Sequence, residues 1–138
     1  MRINWFFVIF GIITIIAIDQ MSKFFVKKYY FYTENFGIAF GIPFKGIPLL
    51  ITNGFLIALI AFFIWKYMNI EDLKGFISAS LLLGGSISNY IERLINGKVV
   101  DFIDLKFWPS FNIADAAIML GMLIFLLFHK TLLFNKSK

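Results

Sequence analysis

The chain has 138 residues, of which 60% are hydrophobic and only 15% charged, with 19 phenylalanines and a formal net charge of +5. A mean hydropathy of +0.85 excludes an ordinary soluble protein and predicts a single integral-membrane domain covering 1–138. The absence of cysteine removes disulfides, thiolate metal sites and a cysteine nucleophile, and in a membrane chain basic residues report topology and anionic lipid before nucleic acid.

A membrane-spanning helix needs about 20 mainly apolar residues. The pattern predicts an all-α membrane protein with four transmembrane helices at roughly 3–23, 47–67, 75–92 and 113–133. The first stretch, Trp5 to Ile18, follows Arg2 like a secretory leader, but no small-x-small cleavage site comes after it, so a retained span is expected. Asp19 and Lys23 stand at i, i+4 where that span ends, on one helix face, either as an orienting ion pair or in contact with substrate. Residues 24–46 are aromatic (Tyr29-Tyr30-Phe31-Tyr32) and contain Gly37, Gly41 and Gly46, which suits short strands or a hydrophobic lid on the bilayer surface. A turn explains the glycines of Asn35-Phe36-Gly37-Ile38-Ala39-Phe40-Gly41. It does not require the carboxamide, so Asn35 is a candidate substrate ligand.

Pro43 and Pro48 mark the approach to the second span, and 69–72 reads as a plain turn. In the third span Gly84, Gly85, Ser86 and Ser88 suit close helix packing, while Asn89 and Arg93 share a face and need partners in lipid. If 98–105 is extended, Asp101 and Asp104 face opposite sides, and only one of them can face the next helix. Asn112-Ile113-Ala114-Asp115 places a capping amide and an acid at the start of the fourth span.

Four spans put both termini on one side and the loops 24–46 and 93–112 on the other. Lysine and arginine divide almost evenly between the two sides, so they do not orient the chain. The acids are lopsided: Asp19, Glu34, Glu92, Asp101, Asp104 and Asp115 fall on the two-loop side, and only Glu71 and Asp72 on the other. Asp19, Asn35, Asn89, Arg93, Asp101 and Asp115 can therefore converge at one membrane face. Each membrane-edge acid costs at least ~2.5 kcal/mol on insertion scales, so Asp115 with Asp101 or Asp104 is a candidate acid/base pair.

Competing chemistries are poorly served. His129 lies roughly 21 Å along the helix from Asp115, too far for a Ser-His-Asp triad. Ser86 or Ser88 with a lysine such as Lys98 has no signature spacing. With one histidine and no cysteine, no metal and no cofactor are expected. The alternative class is a small proton- or cation-conducting membrane protein, which would spread acids over several depths.

Together the motifs resemble the bacterial lipoprotein signal peptidases, also called signal peptidase II. The matching stretches are Asp19-Gln-x-x-Lys23, Asn35-x-Gly37-x-Ala39-Phe40-Gly41, Gly84-Gly85 through Asn89 to Arg93, Val99-Val100-Asp101-Phe102 and Phe111-Asn112-x-Ala114-Asp115, in the family's order. The resemblance implies an intramembrane aspartic endopeptidase with a small extracytoplasmic strand/loop region after helix 1. Asp101 and Asp115 would be catalytic, with Asp19, Lys23, Asn35, Gly37, Asn89, Arg93 and Asn112 shaping the pocket or binding substrate. It implies a prolipoprotein substrate cut before its lipidated cysteine, contact with membrane lipid and no nucleic acid. It also implies a monomer in the bacterial cytoplasmic membrane, with cytoplasmic termini and an extracytoplasmic site. Two positions depart from the family pattern: Glu92 stands where Asp is usual, and Ser88 where Gly is common.

Overall fold

The computed structural model describes residues 4–37 and 46–134, so Ile38, Ala39, Phe40, Gly41 and Pro43 of the loop motifs lie outside the described residues. Four helices and two short strands alternate along the chain: α1 (Trp5–Tyr29), β1 (Thr33–Asn35), α2 (Ile47–Tyr67), α3 (Leu73–Asn96), β2 (Val99–Asp101) and α4 (Ile113–Phe134). The second and fourth helices fall where the hydropathy puts them. The first runs on to Tyr29, beyond the expected end near 23, because Phe24-Phe25-Val26-Lys27-Lys28 contains no breaker and keeps Lys23 and Lys27 on one face. The segment 24–46 is therefore helical at its start, and among its described residues the strand covers 33–35.

Local signals set the ends. Asn4 Oδ1 accepts from the Phe6 N–H, and Asp72 Oδ1 from the Lys74 N–H, so the expected plain turn at 69–72 contains the α3 cap. Gly97 closes α3 in the left-handed region, its N–H donating to the Arg93 carbonyl. Before α4, the Asp115 N–H donates to Asn112 Oδ1 and the Asn112 N–H donates back to Asp115 Oδ2, a reciprocal cap that fixes both side chains.

Three helices, α1, α2 and α4, are long and apolar enough to cross a membrane. Their outer faces carry Phe6, Phe10, Ile51, Phe55, Leu126 and Leu127, all well exposed, as befits surfaces meeting lipid tails. All four expected helices form, and α3 differs from the other three in composition. It is as long as the others, but serine, glycine, asparagine, glutamate and arginine interrupt its apolar run. It can hold these residues because it packs against α1, α2 and α4, with Ser78, Ser80, Ser88, Asn89 and Glu92 buried.

Close approach makes this possible. A Cβ on Gly84 would stand 2.8 Å from the Ile15 Cβ, and one on Gly85 would collide with the Ala114 carbonyl at the start of α4. The apolar core lies toward the other end, where Val8, Ile64, Met68, Ala79, Leu82 and Leu83 pack together.

At the site end β1 pairs antiparallel with β2, matching Thr33 with Asp101, Glu34 with Val100 and Asn35 with Val99. A bridge between Ile103 and Phe111 closes the loop leading to α4. The small sheet thus sits between the end of α1, the end of α3 and the start of α4.

Candidate active site

Asp101 ends β2 and is buried. Its two oxygens each accept from an amide: Asn112 Nδ2 donates to Oδ1 at 2.7 Å, and Asn35 Nδ2 to Oδ2 at 3.1 Å. Asp115 lies in the first turn of α4, where Asn89 Nδ2 donates to Oδ1 at 2.8 Å and the Asn112 N–H to Oδ2. Asn112, fully buried, therefore holds both carboxylates, one through its side chain and one through its backbone. Burial pushes the Asp101 carboxyl up to about 6; the Asn35 amide opposes the rise, the Asp115 charge adds to it, and Asn112 and Lys23 oppose it.

Both acids line a cavity of about 360 Å³ together with Asn35, Arg93, Trp108, Phe111, Ile118 and Met119. Arg93 Nη2 donates to the Gly37 carbonyl at 3.0 Å, and the Gly37 N–H donates to Asn35 Oδ1, so Gly37 links the strand to the arginine. A groove of about 850 Å³ adjoins this cavity through Trp108, Phe111, Ile118 and Met119 and is otherwise lined by Leu105, Phe107 and apolar residues of α4.

Behind the acids lies a buried ionic cluster. Lys23 Nζ meets Asp19 Oδ2 at 2.7 Å, Glu92 Oε2 at 2.9 Å and Asn89 Oδ1 at 2.9 Å. Asp19 reaches across to α4, its Oδ1 accepting the Ala114 N–H at 2.9 Å, and it also accepts from Ser88 Oγ at 2.7 Å. A charge this deep is tolerable only because its hydrogen-bonding directions are occupied.

A model described as signal peptidase (SPase) II matches residues 11–131. The chain belongs to the signal peptidase II family. Lipoprotein signal peptidases of Chlorobium phaeobacteroides (strain DSM 266) and Thermodesulfovibrio yellowstonii are 32% and 35% identical to it. The first alignment covers 97% of this chain and 95% of the relative, the second 83% and 88%. A solved bacterial membrane enzyme, determined by the in meso method at 2.3 Å resolution, superposes with a TM-score of 0.78 at 24% identity, covering 94% of this chain and 91% of that one. That last likeness is one of fold.

In this signal peptidase II chain the residues expected at the site converge: Asp19, Lys23, Asn35, Gly37, Asn89, Arg93, Asp101, Asn112 and Asp115 form one connected hydrogen-bonded system. Asp104 stands apart, exposed and paired with Lys106 at 2.7 Å, which holds its carboxyl below the usual range. Lys98 pairs with Glu34, and Ser88 serves Asp19, so no serine–lysine pair involving Ser88 and Lys98 forms. Among the described residues no group of three or more His, Cys, Asp or Glu is placed to hold a metal ion.

Sequence reasoning missed three members. Gln20 Nε2 donates to Ser88 Oγ at 2.9 Å, Lys27 pairs with Glu92 at 2.9 Å, and the Val100 N–H donates weakly to Glu92 Oε2. The spacing of Lys23 and Lys27, i and i+4 on α1, was the available signal for the second.

Proposed function

We propose that this chain is an intramembrane aspartic endopeptidase that removes the signal peptide from diacylglyceryl-modified prolipoproteins, cleaving before the lipidated cysteine. Asp101 and Asp115 are its catalytic pair. The observation that carries the reading is the placement of both carboxylates on one small cavity, tied together by Asn112. The adjoining apolar groove supports the substrate class, because acyl chains can stay in an apolar lining while the scissile bond reaches the acids.

Two like charges held close do not both ionise cheaply, so the pair shares one proton and titrates as a unit. The ionised partner takes a proton from water as its oxygen bonds to the carbonyl carbon. The protonated partner gives its proton to the carbonyl oxygen, yielding a neutral gem-diol. Collapse breaks the C–N bond: the partner left ionised takes back a gem-diol hydroxyl proton as the new carboxyl C=O forms. The proton taken from water passes to the leaving cysteine amine, and the pair again holds one proton. No covalent adduct with the protein forms. Arg93 and Asn35, which line the same cavity, hold the peptide backbone in register. The protein acts as a monomer in the bacterial cytoplasmic membrane, with cytoplasmic termini and the cavity toward the extracytoplasmic face.

The test is cleavage of a lipidated prolipoprotein by the purified protein in detergent. Asp101→Asn and Asp115→Asn should each lose at least about 10³-fold in kcat, the scale expected for an essential acid/base group. Wild-type turnover in both variants would sink the proposal.

A further inference from the structure

Lys27 lies one helical turn beyond Lys23 on α1, and both ammonium groups converge on one carboxylate. Glu92 Oε1 takes Lys27 Nζ at 2.9 Å, and Glu92 Oε2 takes Lys23 Nζ at 2.9 Å while facing the Val100 N–H of β2. Glu92 is 2% exposed and Lys23 1%, whereas Lys27 is 40% exposed and is the cluster's outlet to solvent.

The charges balance only with Lys27 counted. Asp19, Lys23 and Glu92 alone sum to one negative charge buried behind the two candidate acids, and Lys27 brings the group to neutrality. An uncompensated buried charge is costly and acts over a long range in low dielectric. The path to the acids is short: Lys23 donates to Asn89 Oδ1, Asn89 donates to Asp115, and Asn112 donates to both Asn89 and Asp101.

We propose that Lys27 is a positioning residue, neutralising Glu92 so that Lys23 stays directed at Asn89 and the Asp101–Asp115 pair keeps its working protonation. The inference rests on that pair being catalytic. It also assigns a use to the length of Glu92: one carboxylate spans two lysines a turn apart and the edge of β2, a reach that an aspartate there lacks.

The groups facing Glu92 are Lys23 and Lys27 from α1, the Val100 N–H from β2 and its neighbour Arg93 on α3. Asp101 and Asp115 lie beyond Lys23 and Asn89. Removing the Lys27 charge makes the cluster more negative, which disfavours ionisation of both acids. Lys27→Gln should therefore lower kcat about three- to tenfold with KM held within about twofold, and move the pH profile of kcat/KM upward by about half a unit. Lys27→Arg should restore both. In a Glu92→Gln background, where no carboxylate holds the half-exposed Lys27 ammonium at the cluster and solvent screens it, the same Lys27→Gln change should leave the profile where that background puts it. Lys28→Gln, whose ammonium lies over the Tyr29 ring and outside the cluster, is the control with unchanged kcat.

Cleavage of a lipidated prolipoprotein by the full chain in detergent reads all of these, with a melting curve for each variant. An unshifted profile and wild-type kcat in Lys27→Gln overturn the proposal while leaving the catalytic pair standing. Loss of kcat with a lowered melting temperature and no rescue by arginine also overturns it, since the role is then structural. Activity retained in Asp101→Asn and Asp115→Asn brings down the reading beneath it instead.

Discussion

The two halves of α3 face the same neighbours with opposite chemistry. From Gly75 to Leu83 it buries small and apolar side chains, and Ser78 answers to backbone, its Oγ donating to the Gly121 carbonyl at 2.8 Å. From Gly84 to Arg93 it buries Ser88, Asn89 and Glu92, each joined to side chains of α1 or α4. In lipid the first half gains from packing and close approach, whereas the second half depends on partners from α1 and α4 for its buried Ser88, Asn89 and Glu92. A substitution in one half should cost stability, and one in the other should cost chemistry.

Asn112 gives the largest break in that contrast. Asn112→Ala removes the amide that donates to Asp101 and the oxygen that accepts the Asp115 N–H, so kcat should fall about 10²-fold or more through lost geometry. Leu82→Ala in the apolar half should cost about 2 to 3 kcal/mol in unfolding free energy while leaving kcat per folded molecule near the wild-type value. Unfolding in mixed micelles and prolipoprotein cleavage separate the two. If Leu82→Ala lowers kcat as far as Asn112→Ala does, the halves are one mechanical unit and the contrast fails.

A second, smaller effect sharpens the contrast by asking whether the site's electrostatics are local. The Asp101 carboxyl sits at about 6, raised mainly by burial, with Asn35 opposing and Asp115 adding. Asn35→Ala removes a donor to the ionised form and should move this midpoint upward; Asp115→Asn removes a like charge and should move it downward. Carboxyl-carbon NMR of aspartate-labelled protein in micelles follows both. Equal midpoints in the two variants would remove the electrostatic coupling. The stability linkage has a definite sign as well. With a folded value above the ordinary 3.8, the folded chain binds this proton more readily than the unfolded one. The Asp101 contribution to stability therefore declines as pH rises from 3.8 through about 6.

Much of this was legible in the chain. The spacing of apolar runs predicted α2 and α4 closely, and Asn112 with Asp115 read as a cap because the cap is local: residues three apart in sequence supply both of its bonds. Helix parity put the polar residues at one face. What was illegible depends on partners distant in sequence. Nothing near Ser88 indicates that it donates to Asp19, and nothing near Glu92 indicates that two lysines of α1 reach it. The extension of α1 to Tyr29 was missed because its end is amphipathic: it carries Phe24 and Phe25 outward while Lys23 and Lys27 turn toward α3, a pattern that a hydropathy window averages away.

Asp101 and Asp104 show the same division at its smallest scale. They lie three residues apart, and local sequence offers each as the partner of Asp115. Pairing with β1 buries Asp101 beneath Asn35 and Asn112, whereas Asp104 sits past the strand in a turn. There its Oδ1 accepts the Lys106 N–H, supporting the left-handed backbone of Lys106, and its Oδ2 pairs with the largely exposed Lys106 ammonium. An exposed pair of this kind contributes little. Asp104→Asn can keep the turn, because an asparagine oxygen accepts the same N–H, and it should retain kcat within about twofold of wild type. Asp104→Ala should loosen the turn beside Trp108 and raise KM slightly, with kcat again near wild type. A loss in Asp104→Asn comparable to that in Asp101→Asn would mean that burial and amide contacts do not distinguish the two acids.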